Sequence, residues 1–470
     1  MVRLFALNKA EVICMKKTNI NMCEGPLLIN MIRYAIPVML TGLLQQLFNT
    51  LDVILAGQLG TSGNDAVAAV GSTTAITSLM INFFIGCSTG SAVTVSYAVG
   101  SKDKESIKNA IHTAILLAIT LGAVLTVVGV IISKQILKIM STPDSIIGLS
   151  TTYLRTYFLG MIPYMVYNYG AAILRAVGEA KKPMYFLLIS GPIKLILTFL
   201  FVSVLNFDVA GLALATTCSQ AISAALVIIT LIKRNDACRL ILKELKFYKK
   251  PLINILRLGI PSGIQSATFS LSSVIIQSSI NSLSYLNGFI TGNAAATSIE
   301  SFANIITGTF YQVSINFTGQ NVGANKYDRV KKVYIYNSAM SAVFITAVSL
   351  VVCTFSRQLL GFYIENDPVA ITWGTVRIMF IFVPLIIMGQ MDVTTGSIRG
   401  LGVSFFSMLI SLISVCGFRI LWTLTVFRIP EFHTPQCLYL SYPISWTVTF
   451  LAEFTLYIIT YNKNKRGIRL

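Results

Sequence analysis

Twelve apolar runs, each long enough to cross a bilayer, follow one another along this 470-residue chain, and no other feature restricts its fold so tightly. A hydrocarbon core of about 30 Å takes about 20 residues of helix per crossing. The runs lie near 31–57, 65–98, 107–133, 146–178, 183–205, 208–232, 251–282, 288–321, 330–353, 368–399, 403–427 and 438–462. Lipid offers no partner for a backbone amide, so runs of this length become helices. Composition agrees: 54% of residues are hydrophobic and 11% charged, against roughly 25% charged in a soluble domain. The mean hydropathy is +0.74. Disordered chains, collagen, disulfide scaffolds and nucleic-acid-binding domains are excluded on this ground.

The net charge of +18 is explained by where the bases fall. With the N-terminus placed inside, twenty-eight of the 36 Lys and Arg lie at cytoplasmic ends and four on the opposite side, the asymmetry that orients membrane helices. The first 28 residues lack the apolar core and cleavage site of a secretory signal and read as a cytoplasmic tail. Residues 233–250 are basic, with Leu240, Ile241, Leu245 and Tyr248 at helical spacing, and this predicts an interfacial amphipathic helix. Eight scattered cysteines without a C-x-x-C pair, and only His112 and His433, support neither a metal site nor a disulfide framework. No cofactor is expected.

The two halves repeat. Arg33-x-x-Ile36-Pro37 recurs as Arg257-x-x-Ile260-Pro261, Val99-Gly100 as Val322-Gly323, and Arg175-x-x-Gly178 as Arg399-x-x-Gly402, at offsets of 224, 223 and 224. Six helices per repeat is an even number, so both halves insert the same way and share a pseudo-two-fold along the membrane normal. The predicted fold is an all-α polytopic membrane protein with twelve transmembrane helices in two six-helix bundles. The expected divisions are a tail at 1–28, lobes at 29–232 and 251–462, a linker at 233–250 and a tail at 463–470. Proline falls inside helices at Pro37, Pro163, Pro261 and Pro384; these are either packed kinks or hinges for alternating access.

Glu24-Gly25-Pro26, Ile36-Pro37, Gln45-Gln46, Asp52, Gly57 and Ala68-Ala69-Val70-Gly71 resemble the opening of the multidrug and toxic compound extrusion (MATE) family. Gly211-Leu212-Ala213-Leu214-Ala215-Thr216, Gly319-Gln320-Asn321-Val322-Gly323-Ala324 with Arg329, and Arg399-Gly400-Leu401-Gly402 continue the resemblance from about residue 24 to 460. It implies cation-coupled export of organic, often cationic, compounds. In many members an Asn of the fifth helix, and an Asp four residues on, join the first-helix Asp in a proton or sodium site. Here Lys194 and Thr198 stand at those two positions, and Phe269 stands where some members carry a seventh-helix Glu.

Charges within a bilayer are costly and tend to face cavities or one another. The embedded acids are Asp52, Glu300, Asp392 and Glu453; the embedded bases are Lys194 and Arg419, related by the repeat. Asp52–Lys194 and Glu300–Arg419 are expected to pair, as protonation switches or as static ties between helices. Lysine can lose its proton when desolvated whereas arginine stays charged, so Lys194 is the candidate switch and Arg419 the fixed counter-charge. Glu453 shows no partner in the sequence. Arg155 and Arg377 read as snorkelling to headgroups, and Arg175 and Arg399 as cytoplasmic-end anchors.

The coupling and substrate candidates are therefore Asp52, Lys194, Thr198, Thr216, Glu300, Asp392, Arg419 and Glu453. The leading expectation is a monomeric proton- or sodium-coupled antiporter of the bacterial inner membrane, with both termini cytoplasmic. Its partners would be an amphipathic, cationic organic substrate, the coupling ion and membrane lipid, without nucleic acid. The alternative is an exporter or flippase of an endogenous lipid-linked or metabolite substrate. An enzyme is disfavoured, since the sequence offers no catalytic dyad within the bilayer.

Overall fold

The computed structural model describes residues 20–59, 63–365 and 367–467; the side chains of 52–59, 63–64, 66–67 and 75 lie outside that description. The first lobe comprises α1 (Leu27–Leu59), α2 (Gly63–Ser101), α3 (Lys104–Ile139), α4 in two halves (Asp144–Leu159 and Met161–Ala176), α5 (Lys181–Phe199, ending in a π turn, Leu200–Val204) and α6 (Asp208–Ile232). The second comprises α7 (Lys249–Asn281), α8 (Phe289–Gly323), α9 (Tyr327–Thr354), α10 in two halves (Pro368–Phe382 and Leu385–Gly400), α11 (Phe405–Ser411, a π segment Leu412–Gly417, then Phe418–Leu424) and α12 (Pro435–Lys465). This is the expected twelve-helix, two-bundle architecture.

Local chemistry sets the boundaries. Asp103 opens α3 by accepting from the Glu105 amide at 3.1 Å, and Asp367 opens α10 by accepting from Ala370 at 2.9 Å, with Pro368 in the first turn. Both satisfy amides that a helix start leaves without partners. The repeated Arg-x-x-Gly motif is a helix stop. Gly178 and Gly402 sit at φ 89° and 88°, and the next residues, Glu179 and Val403, donate back to Leu174 and Ile398, the six-to-one bond of a left-handed glycine cap.

Among the described residues eight helices are individually long and apolar enough to span a bilayer, and the two halves of α10 qualify together across a 44° bend. Helices α7 and α8 fall short of that mark because they carry many Ser, Thr, Asn and Gln, some facing the other lobe and some the interior of their own. At the α2–α7 seam the backbones all but touch. A Cβ on Gly90 would stand 2.2 Å from the Ile255 carbonyl, and one on Gly86 would stand 2.6 Å from that of Ser262. Small residues are what allow such approach in membranes. Asn316 on α8 donates to the Tyr34 hydroxyl of α1 at 2.8 Å and accepts from Ser96 of α2 at 3.2 Å. These contacts gather toward the end of the bundle where residues 20–25 and 463–467 lie.

Of the four proline candidates, Pro384 sits at the α10 bend and Pro163 three residues past the α4 break at Gly160. Pro37 and Pro261 lie within continuous helices.

Two expectations change. Residues 233–250 do not form an interfacial helix. The segment is irregular, with one 3₁₀ turn at Leu242–Glu244, because the first lobe supplies its hydrogen bonds. The Ile241 amide donates to His112 Nε2 at 3.0 Å and that of Tyr248 to Thr113 Oγ1 at 3.2 Å. Arg234 meanwhile grips Asp236 at 2.6 Å and Glu179 at 2.9 Å, and Leu240 is buried. Residues 20–25 are likewise no free tail. Met22 and Cys23 are buried between the lobes. Ile20 donates to Gly178 of the first lobe. The carbonyls of residues 22–25 accept from Asn321, Lys326 and Arg329 of the second.

Candidate functional site

Inside the second lobe, α7, α8, α10, α11 and α12 enclose a cavity of about 420 Å³. Three sequence candidates, Glu300, Asp392 and Arg419, line it, together with Arg377. The expected Glu300–Arg419 pair is not formed. Glu300 accepts from Arg377 Nη2 at 2.7 Å. Helix α8 packs along both halves of α10, which brings Glu300 to the α10 arginine. Arg377 therefore does not snorkel: it is 4% exposed. Its Nη1 donates to Asn293 at 2.8 Å, and Asn293 also accepts from the Tyr439 hydroxyl at 3.0 Å. A guanidinium, a carboxylate, an amide and a phenol thus form one network, in which Arg377 Nη1 and Nη2 are satisfied and Nε has no acceptor among the described residues; hydrogen bonds of this kind are what let a buried ion pair be tolerated.

Arg419 is held differently. Its Nε donates to Ser445 at 2.9 Å, and its guanidinium lies 4.2 Å from the Tyr442 ring centre and 5.8 Å from that of Trp446. Arg377 reaches Tyr442 as well, at 5.7 Å, so that ring has a guanidinium near it on two counts. Among the described residues Arg419 Nη2 has no hydrogen-bond acceptor. Asp392 lines the same cavity beside Thr307.

Glu453 lies outside the cavity and is fully buried. It accepts from Ser407 and Ser411 of α11 at 3.0 Å each, and from Thr395 of α10. Thr395 follows Asp392 by three positions, so the hydroxyl that holds Glu453 lies one turn from the cavity wall. Among the described residues Glu453 forms no salt bridge. Arg399, read as an end anchor, is 4% exposed and donates to Tyr311 and Gln265. Arg155 is exposed and donates to the Val130 carbonyl at 3.2 Å, as a residue near the membrane edge does.

In the first lobe Lys194 and Thr198 are buried one turn apart on α5. Asp52 belongs to α1, but its side chain lies outside the described residues, and the Asp52–Lys194 pair with it. Thr216 is half-buried and donates to its own helix at Leu212, 3.1 Å away.

The sequence reading missed Arg377, Asn293, Tyr439, Tyr442 and Trp446. One signal was available: Asn293 and Glu300 are seven residues apart, which places two polar groups on one helical face.

The family model MatE matches residues 37–200 and 261–425, one stretch in each lobe. "Probable multidrug resistance protein YoeA" of Bacillus subtilis is 25% identical over 92% of this chain and 94% of its own length. A protein named "FAD transporter" from Shewanella oneidensis is 22% identical over 69% of this chain and 72% of its own. Among solved structures, a MATE protein crystallised with MaL6 superimposes with a TM-score of 0.88 over 96% of this chain and all of that one, at 19% identity.

Proposed function

Because the chain belongs to the MATE family of efflux transporters, and is thus a multi-pass membrane transporter rather than an enzyme, we propose that it exports amphipathic, cationic organic compounds by alternating access between its lobes. The export is driven by protons or sodium ions moving inward, in the inner membrane of a bacterium. The end bearing residues 20–25 and 463–467 faces the cytoplasm, as the basic residues direct. The lobes are joined there, as an outward-facing arrangement requires.

The observation that carries the coupling is Glu453. A carboxylate taken wholly out of water is tolerated when a cation or proton neutralises it. Among the described residues three hydroxyls hydrogen-bond it and no basic side chain forms a salt bridge with it, Arg399 acting on it by charge at longer range. An oxygen-only shell of this kind suits a proton or a sodium ion, both hard cations. Occupancy at Glu453 is transmitted through Thr395 and α10 to Asp392, where a cationic substrate finds a carboxylate. The two occupants favour different arrangements of α10, and that difference couples the fluxes. Asp52 with Lys194 and Thr198 is a second coupling candidate in the first lobe.

In everted vesicles, Glu453→Gln keeps the shape and removes the charge. Gradient-driven ethidium efflux is expected to fall to the passive level while the protein stays monodisperse. Efflux equal to wild type under separate proton and sodium gradients would remove Glu453 from the mechanism.

A second reading has its own support. Two guanidiniums line the cavity, and one lacks a carboxylate partner among the described residues, as suits an endogenous substrate with an anionic group. The relative named FAD transporter is consistent with it. Vesicles that move a flavin nucleotide but not ethidium would select this reading.

A further inference from the structure

A second cavity, of about 580 Å³, lies between the lobes at the end bearing residues 20–25 and 463–467. Lys249, Lys250, Asn254 and Arg257, in the first turns of α7, face Ser101 and Asn109 of the first lobe across it. Its volume is that of an ordinary ligand pocket, roughly 300–1,000 Å³. The lining includes three cationic side chains and no carboxylate. Helix α7 begins at Lys249, so the positive end of its dipole adds to them.

Several other bases at this end are engaged: Lys108 with Glu244, Lys326 with Glu24, and Lys465 with Asp328. Lys249 and Lys250 form no ion pair among the described residues. Asp103 stands near enough to feel Lys250, but it caps α3 through the Glu105 amide and accepts from Ser106.

We infer that this cavity binds a phosphate-bearing anion, gripped by Lys249, Lys250 and Arg257 and touched from the other lobe by Ser101 and Asn109. Because both lobes contribute, the ligand binds the joined arrangement better than the separated one and holds the lobes together at this end. The shared chemistry is a phosphate group, supplied either by an anionic phospholipid or by a soluble phosphate compound.

The test is native mass spectrometry of the full-length protein, offered phosphatidylglycerol, phosphatidylcholine or inorganic pyrophosphate. Wild type is expected to retain one phosphatidylglycerol over phosphatidylcholine and to release it to pyrophosphate. Lys249→Gln with Lys250→Gln is expected to weaken retention about thirtyfold, the effect of two basic groups beside an anionic headgroup. Lys331→Gln with Lys332→Gln, at the same end but outside the cavity, is expected to change nothing. Asn109→Leu, which removes the first lobe's amide contact at nearly the same side-chain shape and without altering charge, is expected to weaken retention too. Retention of pyrophosphate without preference among lipids assigns the site to a soluble phosphate compound. Equal lipid retention by both lysine pairs, or full retention by Asn109→Leu, overturns the proposal. Spin labels at the ends of α3 and α9 read the clamp: phosphatidylglycerol should sharpen the short inter-lobe distance in wild type alone. A distribution indifferent to it would overturn the clamp.

Discussion

Arg377 and Glu300 show how much of a buried site depends on which face of a helix a residue occupies. The sequence marked Glu300 as an embedded acid and gave its depth, since rise per residue follows from chain position. It could not give azimuth, and so Glu300 was matched to Arg419 at similar depth rather than to Arg377 across the α8–α10 contact. The ion pair predicts a specific asymmetry. Arg377→Met leaves a carboxylate buried without its cation and is expected to destabilise the lobe by about 3–5 kcal/mol. Glu300→Met added to it should recover most of that loss, because an apolar pair of similar volume needs no counter-charge. Unfolding in detergent of the two single variants and the double variant measures this directly. Additive losses would mean that the pair at 2.7 Å contributes no mutual stabilisation. Glu453 was legible only as a charge in an apolar run; its three hydroxyls come from two other helices, and no local pattern announces them.

Among the elements, the helices were legible and the segments between them were not. A helix satisfies its own backbone, so its extent follows from apolar length. A linker's backbone must be satisfied from elsewhere, and here the acceptor is His112, 129 positions before Ile241. The apolar spacing of Leu240, Ile241 and Leu245 was real, but it records contact with the first lobe's core, which Leu240 and Leu245 join, rather than helix. His112 also bonds the Lys108 carbonyl through Nδ1 at 2.7 Å. With the proton on Nδ1, Nε2 is the acceptor for Ile241. His112→Leu fills the same space without an acceptor. It is expected to cost about 1–3 kcal/mol, the penalty for a buried amide left unpaired, and to raise hydrogen exchange at residues 240–248. Unchanged exchange there would show that the Ile241–His112 bond is not what holds the linker.

At the scale of the whole molecule, the internal repeat revealed two equivalent lobes, yet it could not reveal what joins them, since the joining segment has no counterpart in the second half. Residues 20–25 precede the repeated unit and lie across both lobes. Glu24 reaches Lys102 of the first lobe at 3.4 Å and Lys326 of the second at 3.8 Å. The hydrogen bond and charge of Lys102, helped by Lys326, hold the Glu24 carboxyl below its ordinary value of 4.5. A depressed carboxylate pKa in the joined arrangement means that its contribution is complete above the ordinary value and is lost as pH falls through the lowered one. The inter-lobe distance at this end should therefore be insensitive to pH through the neutral and mildly acidic range. It should lengthen only below the ordinary glutamate value, and Glu24→Gln should abolish that step. The effect will be small, because the group is exposed and screened. Arg329→Ala should loosen the same end more, since Arg329 donates to the carbonyls of Met22, Glu24 and Gly25. Spin-label distances between the lobes, recorded across pH for wild type and both variants, separate the two contributions. A wild-type distance that lengthens already near neutrality would assign the pH response to a group other than Glu24.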